Sequence, residues 1–141
     1  MIRCNELYLE DVVETSGELF QVAVSKGYDL ESFIEFYMRS KTRSFIDRGF
    51  AVYCTMLGAE LFECLNEKEH LAQYVKRSSH PQDEMAALWI GEFYALAQWK
   101  LDKPSIECLM ELQPEQIIKS YNTLHDLDLG LAVDRMLKVK H

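Results

Sequence analysis

The apolar positions of this chain recur mostly at three- and four-residue intervals, the repeat of amphipathic helices rather than the alternation of half-buried strands. In residues 5–25, Leu9, Val12, Val13, Leu19, Phe20, Val22 and Ala23 fall close to that repeat, and Gly17 interrupts it at a bend or a close packing contact. Gly27-Tyr28-Asp29 reads as a stop and a fresh start. Gly tolerates the left-handed conformation past a helix end, and Asp accepts from the free N–H groups that open the next helix. Leu30, Phe33, Ile34, Tyr37 and Met38 predict a second helix ending near Ser40, and Phe45 and Ile46 predict a short extra turn closed by Gly49. Residues 50–55 are rich in side chains that suit a pleated surface, but an isolated strand has nothing to pair with. They are predicted to be extended linker, with Thr55 capping a helix through Leu57, Leu61, Phe62, Cys64 and Leu65. Polar residues 66–69 either continue that helix or divide it from a short one through Leu71, Tyr74 and Val75.

Arg77-Ser78-Ser79-His80 is the clearest linker. Pro81 at a first helical position, with Asp83 and Glu84 in the first turn, predicts the longest and most apolar helix, over 81–101. At 100° per residue its apolar side chains, Trp89, Phe93 and Trp99 among them, span an arc of about 200°. A narrow polar stripe remains at Glu84, Gly91 and Gln98. Pro104 with Ser105, Pro114 with Glu115, and Asp126 or Asp128 predict three further helices, the last closed by Lys138 and Lys140. The expected fold is all-α: one compact domain over 1–141, with about six to seven helices in an orthogonal or irregular bundle around the central helix. Two helical subclusters, 1–79 and 80–141, fit the linker at residue 80. A chain of 141 residues buries roughly 68–70% of its unfolded surface, enough for an unaided core.

Charge changes the picture next. Fifteen basic and twenty-three acidic side chains leave a net charge of −8 and a pI near 5.0, the wrong sign for a protein held to nucleic acid by Lys and Arg. The acidity is local. Residues 1–38 hold Glu6, Glu10, Asp11, Glu14, Glu18, Asp29, Glu31 and Glu35 against Arg3 and Lys26. Residues 39–48 reverse the sign, with Arg39, Lys41, Arg43 and Arg48 against Asp47. Glu6, Glu10, Glu14 and Glu18 follow one another at four-residue steps and line one face of the first helix. Two readings follow: a solvated face offset within the molecule by segment 39–48, or a docking surface for a basic protein partner whose encounter depends on salt.

Chemistry adds little. Met1-Ile2-Arg3-Cys4-Asn5-Glu6 shows no secretory signal, and the most apolar stretch, 85–101, contains Glu92, Gln98 and Lys100, so a cytoplasmic location with no membrane partner is expected. Cys4, Cys54, Cys64 and Cys108 are far apart and read as packed thiols. Glu67 and His70 have the spacing of metal ligands on a helix, but no second such pair exists, so no metal or cofactor is expected. No nucleophile elbow or glycine-rich phosphate loop occurs. A helix-turn-helix over 104–124 fails because it offers only Lys119 as a cation. His125 is read as a cap or a hydrogen-bonded structural residue, with a role in a site as the sharper alternative. Glu92 lies about 20° from Trp99 on the wheel, at the edge of the apolar arc. There it is either a boundary residue paired with a cation or a carboxylate of raised pKa beside a pocket.

Val12 to Leu65, above all Gly27-Tyr28-Asp29, Phe33-Ile34-Glu35, Met38-Arg39-Ser40 and Gly58-Ala59-Glu60-Leu61, is similar to small all-helical bacterial proteins of the Firmicute type that form domains of unknown function. Tyr94-Ala95-Leu96-Ala97-Gln98-Trp99-Lys100 with Pro104-Ser105 resembles a Gln-Trp signature in the same sort of protein. The resemblance implies an accessory partner of a toxin-like or ADP-ribosylating neighbour, and it carries over no catalytic residue. The expected function is a non-enzymatic interaction module that uses Glu6, Glu10, Glu14, Glu18, Arg39, Lys41, Arg43 and Arg48. The alternative is a small-molecule-binding protein or enzyme with a pocket at Trp89, Glu92, Trp99 and His125. A homodimer is left open, with Phe20, Phe36 and Tyr37 as the surplus apolar surface that would form it.

Overall fold

The computed structural model describes residues 6–140, with side chains through 138; Arg3, Cys4 and His141 lie outside them. A 3₁₀ turn at Glu6–Tyr8 leads into α1 (Leu9–Ser25), followed by α2 (Leu30–Met38), α3 (Lys41–Asp47), α4 (Ala51–Cys54) and α5 (Gly58–Glu69). Then come α6 (Leu71–Tyr74), α7 (Glu84–Leu101), α8 (Ser105–Glu111), α9 (Pro114–Leu124) and α10 (Leu129–Lys140). The fold is all-α, and among the described residues ten α-helices replace the expected six to seven, because short segments close into separate single turns. No helix among them is long and apolar enough to cross a membrane.

Local chemistry sets most boundaries. The Asp29 carboxylate accepts from Ser32 N at 2.9 Å to open α2, and the Ser40 hydroxyl accepts from Arg43 N at 3.0 Å to open α3. Two boundaries differ from expectation. Residues 50–55 are not extended: Ala51–Cys54 forms a helical turn. A turn brings Phe50 and Tyr53 to one side, where Phe45 meets both, with ring centroids 5.5 and 5.0 Å away. Thr55 ends this turn by donating to Ala51 O, and α5 is opened instead by Glu60 Oε1, which accepts from Leu57 N at 3.0 Å. The long helix begins at Glu84 rather than Pro81. Asp83 caps it through Met85 N and Ala86 N, while Gln82 is held outside, donating to Tyr28 O and accepting from Leu30 N.

The largest interface joins α1 to α7; α5 also packs on α1, and α9 and α10 pack on α7. The two longest helices thereby tie the halves of the chain together. They cross at Gly17 and Gly91, where a Cβ on Gly91 would stand 2.3 Å from Ser16 O and 2.9 Å from Gly17 Cα. Glycine is needed there for backbone-to-backbone approach, so Gly17 marks a packing contact. The polar stripe predicted for α7 therefore faces inward at two of its three positions, since Gly91 and Gln98 are buried.

Phe20 is the hub of the core. Phe33 and Tyr37 meet it edge-on at 5.4 and 5.8 Å, and Tyr94 lies at 6.4 Å. Phe20 and Tyr37 are fully buried, and Phe36 is half-buried against Tyr74. Two of the three residues suggested as a dimer surface, Phe20 and Tyr37, thus belong to the core, and Phe36 stays partly exposed.

Candidate functional site

Segment 39–48 does not act as one basic patch. Arg39 is exposed and pairs with Glu35 one turn earlier at 3.3 Å, and Arg48 is exposed with its guanidinium 5.0 Å from the Phe50 ring centroid. Lys41 is exposed, and its backbone N–H, with that of Thr42, donates to the Glu69 carboxylate at the start of α3. Arg43, expected on an interaction surface, is only 4% exposed. Its guanidinium lies 3.1 Å from Asp47 Oδ1 and donates to Gln98 Oε1. Gln98 donates in turn to Asp47 Oδ1, and Asp47 Oδ2 accepts from Ser105 N at 3.0 Å. The burial of Arg43 has a helical cause: Asp47 stands four residues after it, and both fall on the side of α3 that faces Gln98 of α7.

This closed network sets the character of its neighbours. Burial pushes the Tyr37 hydroxyl above its ordinary value, partly opposed by the nearby Arg43 charge. Burial also pushes the Cys108 thiol up to about 12, which leaves it un-ionised at neutral pH and a poor nucleophile.

The acidic end of α1 is different. Glu6, Glu10 and Glu14 are exposed, and among the described residues none of them is ion-paired. Glu18 departs from the row: it is half-buried, and its Oε1 accepts from Gly58 N at 3.3 Å at the start of α5, where an anion suits the helix dipole. Past the Gly17–Gly91 crossing, α1, α7 and the start of α10 enclose a groove of about 550 Å³. Leu9, Val13, Leu96 and Leu129 give it apolar walls, and Glu10, Asp11, Glu14 and Glu92 give it acids. Glu92 is half-buried, and burial first, then the negative charge of Glu14, raise its pKa above the ordinary carboxylate value.

The four residues expected to line one pocket fall into different settings. Glu92 lines this groove. Trp89 is buried on the α9 side of α7, with ring centroids 5.3 Å from Phe93 and 5.6 Å from Tyr121. His125 stacks on Tyr121 at 4.4 Å, and its Nδ1 lies 2.7 Å from Tyr121 O. Trp99 is half-buried against the core. His70, the other half of the possible ligand pair, takes a left-handed backbone (φ 56°) at the junction of α5 and α6. No group of three or more His, Cys, Asp or Glu among the described residues is placed to hold a metal ion. The groove's apolar walls were missed from sequence. Leu9 and Val13 carry a signal in their four-residue spacing, whereas Leu129 carries none, because only the docking of α10 brings it there. Comparison of the chain with protein-family models, curated proteins and solved structures finds no match.

Proposed function

We propose that the protein is a non-enzymatic interaction module whose acidic α1 end docks a basic protein partner. One observation carries this reading. The three arginines of 39–48 are engaged around α3, Arg39 by Glu35, Arg48 by Phe50 and Arg43 by the buried Asp47–Gln98 network, while Glu6, Glu10 and Glu14 stay exposed. A like-charged helix face mildly destabilises its own helix, and a complementary partner relieves that cost while speeding encounter. On the resemblance noted for 12–65, the partner proposed is a toxin-like or ADP-ribosylating neighbour. The pocket alternative has less support, since Trp89 and His125 are engaged with Tyr121 away from Glu92.

The test is affinity capture from native lysate at low and high salt, with the chain and with a Glu6→Lys, Glu10→Lys, Glu14→Lys variant. The expected result is a specific protein retained by the unmodified chain at low salt, weakened at high salt and lost by the variant. Equal recovery by both chains, or no specific protein at either salt, would overturn the reading.

A further inference from the structure

The groove at the α1–α7–α10 junction has the make-up of a helix receptor. Leu9 and Val13 are one turn apart on α1, and Leu96 is one turn beyond Glu92 on α7, so apolar side chains line both long helices of the groove, as the seat of an amphipathic helix's apolar face requires. Four acids surround them. No cation among the described residues meets Glu92, and its neighbour Glu14 has the same sign. A pocket built for an anionic or purely apolar occupant would not place carboxylates on both α1 and α7.

We infer that this groove receives an amphipathic helical segment of the partner, with its apolar anchors against Leu9, Val13, Leu96 and Leu129 and its Lys or Arg side chains against Glu10, Asp11, Glu14 and Glu92. The inference rests on the acidic docking reading above and adds to it a seat, an orientation-setting carboxylate and an apolar requirement. Charge explains attraction to the whole α1 end. Only the groove explains discrimination between a patterned segment and an equally basic one without an apolar face.

The probes are three synthetic peptides of about four helical turns: leucine and lysine in helical amphipathic order, the same composition shuffled, and lysine alone. Binding is followed by titration and by methyl NMR of the intact chain. The patterned peptide is expected to bind at least about tenfold more tightly than the shuffled one, the worth of one well-buried Leu side chain. The Leu9, Val13, Leu96 and Leu129 methyl signals should move first. Glu92→Gln is expected to weaken the patterned peptide about two- to fivefold, whereas Glu63→Gln, the same charge change at an exposed site on α5, should leave it unaltered. Leu96→Gln should abolish the preference for the patterned order, and because Glu92→Gln alters no packing volume the test stands even if the Leu96 variant unfolds. Equal, salt-sensitive binding of all three peptides would overturn the groove and leave the acidic surface intact. Absence of binding by any peptide at low salt would overturn both. Contacts between residues 1–5 and the Val13 or Leu96 methyls in the free chain, or self-association burying those methyls, would assign the groove another occupant and overturn the inference.

Discussion

Two regions use the same kinds of side chain to opposite ends. Around Arg43, the charges of Arg43 and Asp47 and the amide of Gln98 are buried and matched to one another, and Asp47 also receives Ser105 N. Around Glu92, a carboxylate is half-buried beside further acids and apolar walls with no cation among the described residues to match it. A matched buried network fixes how α3, α7 and α8 sit together and is costly to open on one side. An unmatched acidic groove leaves its charge to solvent and counterions and, on the reading proposed above, to a basic partner. The two regions therefore differ in completeness of pairing rather than in burial alone.

The comparison breaks most sharply at Arg43. Arg43→Met should cost about 3–5 kcal/mol, the usual result of leaving a buried partner charge unpaired, measured by chemical denaturation. Arg43→Lys should rescue only part of this, because an ammonium cannot reproduce the guanidinium's planar fork. A loss below about 1 kcal/mol, the range of exposed pairs, would mean that the network contributes no more than surface charges do.

Next in size is Cys108, which adjoins the same region. With the thiol pushed up to about 12, its thiolate fraction at pH 8 should fall roughly a thousandfold below that of an ordinary cysteine. Alkylation followed by peptide mass mapping should modify half-buried Cys64 well before Cys108, and should modify both once the chain is denatured. Rapid native labelling of Cys108 would show that the region opens readily.

Gly91→Ala tests the crossing that stands between the two regions. A Cβ 2.3 Å from Ser16 O cannot be accommodated without moving α1 off α7, and the expected cost is about 1–3 kcal/mol, the ordinary range for overpacking. The change should also loosen the groove, seen as shifted Val13 and Leu96 methyl signals.

The smallest effect belongs to Glu92 and carries its sign in the pH dependence. Its folded pKa is raised above the unfolded value near 4.5, so the folded chain binds the extra proton between those two values and loses stability as pH rises through that window. Glu92→Gln should therefore raise the melting temperature modestly at neutral pH, and the gain should shrink as pH falls through the window towards 4.5 and below. A loss at neutral pH would show a cation bound to Glu92, and a gain that stays constant with pH would show that its pKa is not raised; either would undo the contrast with Arg43.

Much of the helical plan was legible before any coordinates. Asp29, Ser40 and Pro114 act within one turn of themselves, so the boundaries they set can be read locally. The turn at 51–54 and the cap at Asp83 were misread because distant partners decide them: Phe45 for the first, the Tyr28–Leu30 backbone for Gln82 beside the second. The candidate site divides in the same way. The row of acids on α1 and the boundary position of Glu92 follow from helical spacing, but the burial of Arg43, the turning of Glu18 into α5 and the arrival of Leu129 do not.

What the sequence determined by itself was the all-α class and the concentration of negative charge in the first helix, because these depend on composition and on a repeat of 3.6 residues. Which charges were cancelled and which remained was decided only by the tertiary structure. Pairing requires a few ångströms of separation, and that separation is set by helix packing, with Gly17 against Gly91 at its closest point, rather than by neighbours in the chain.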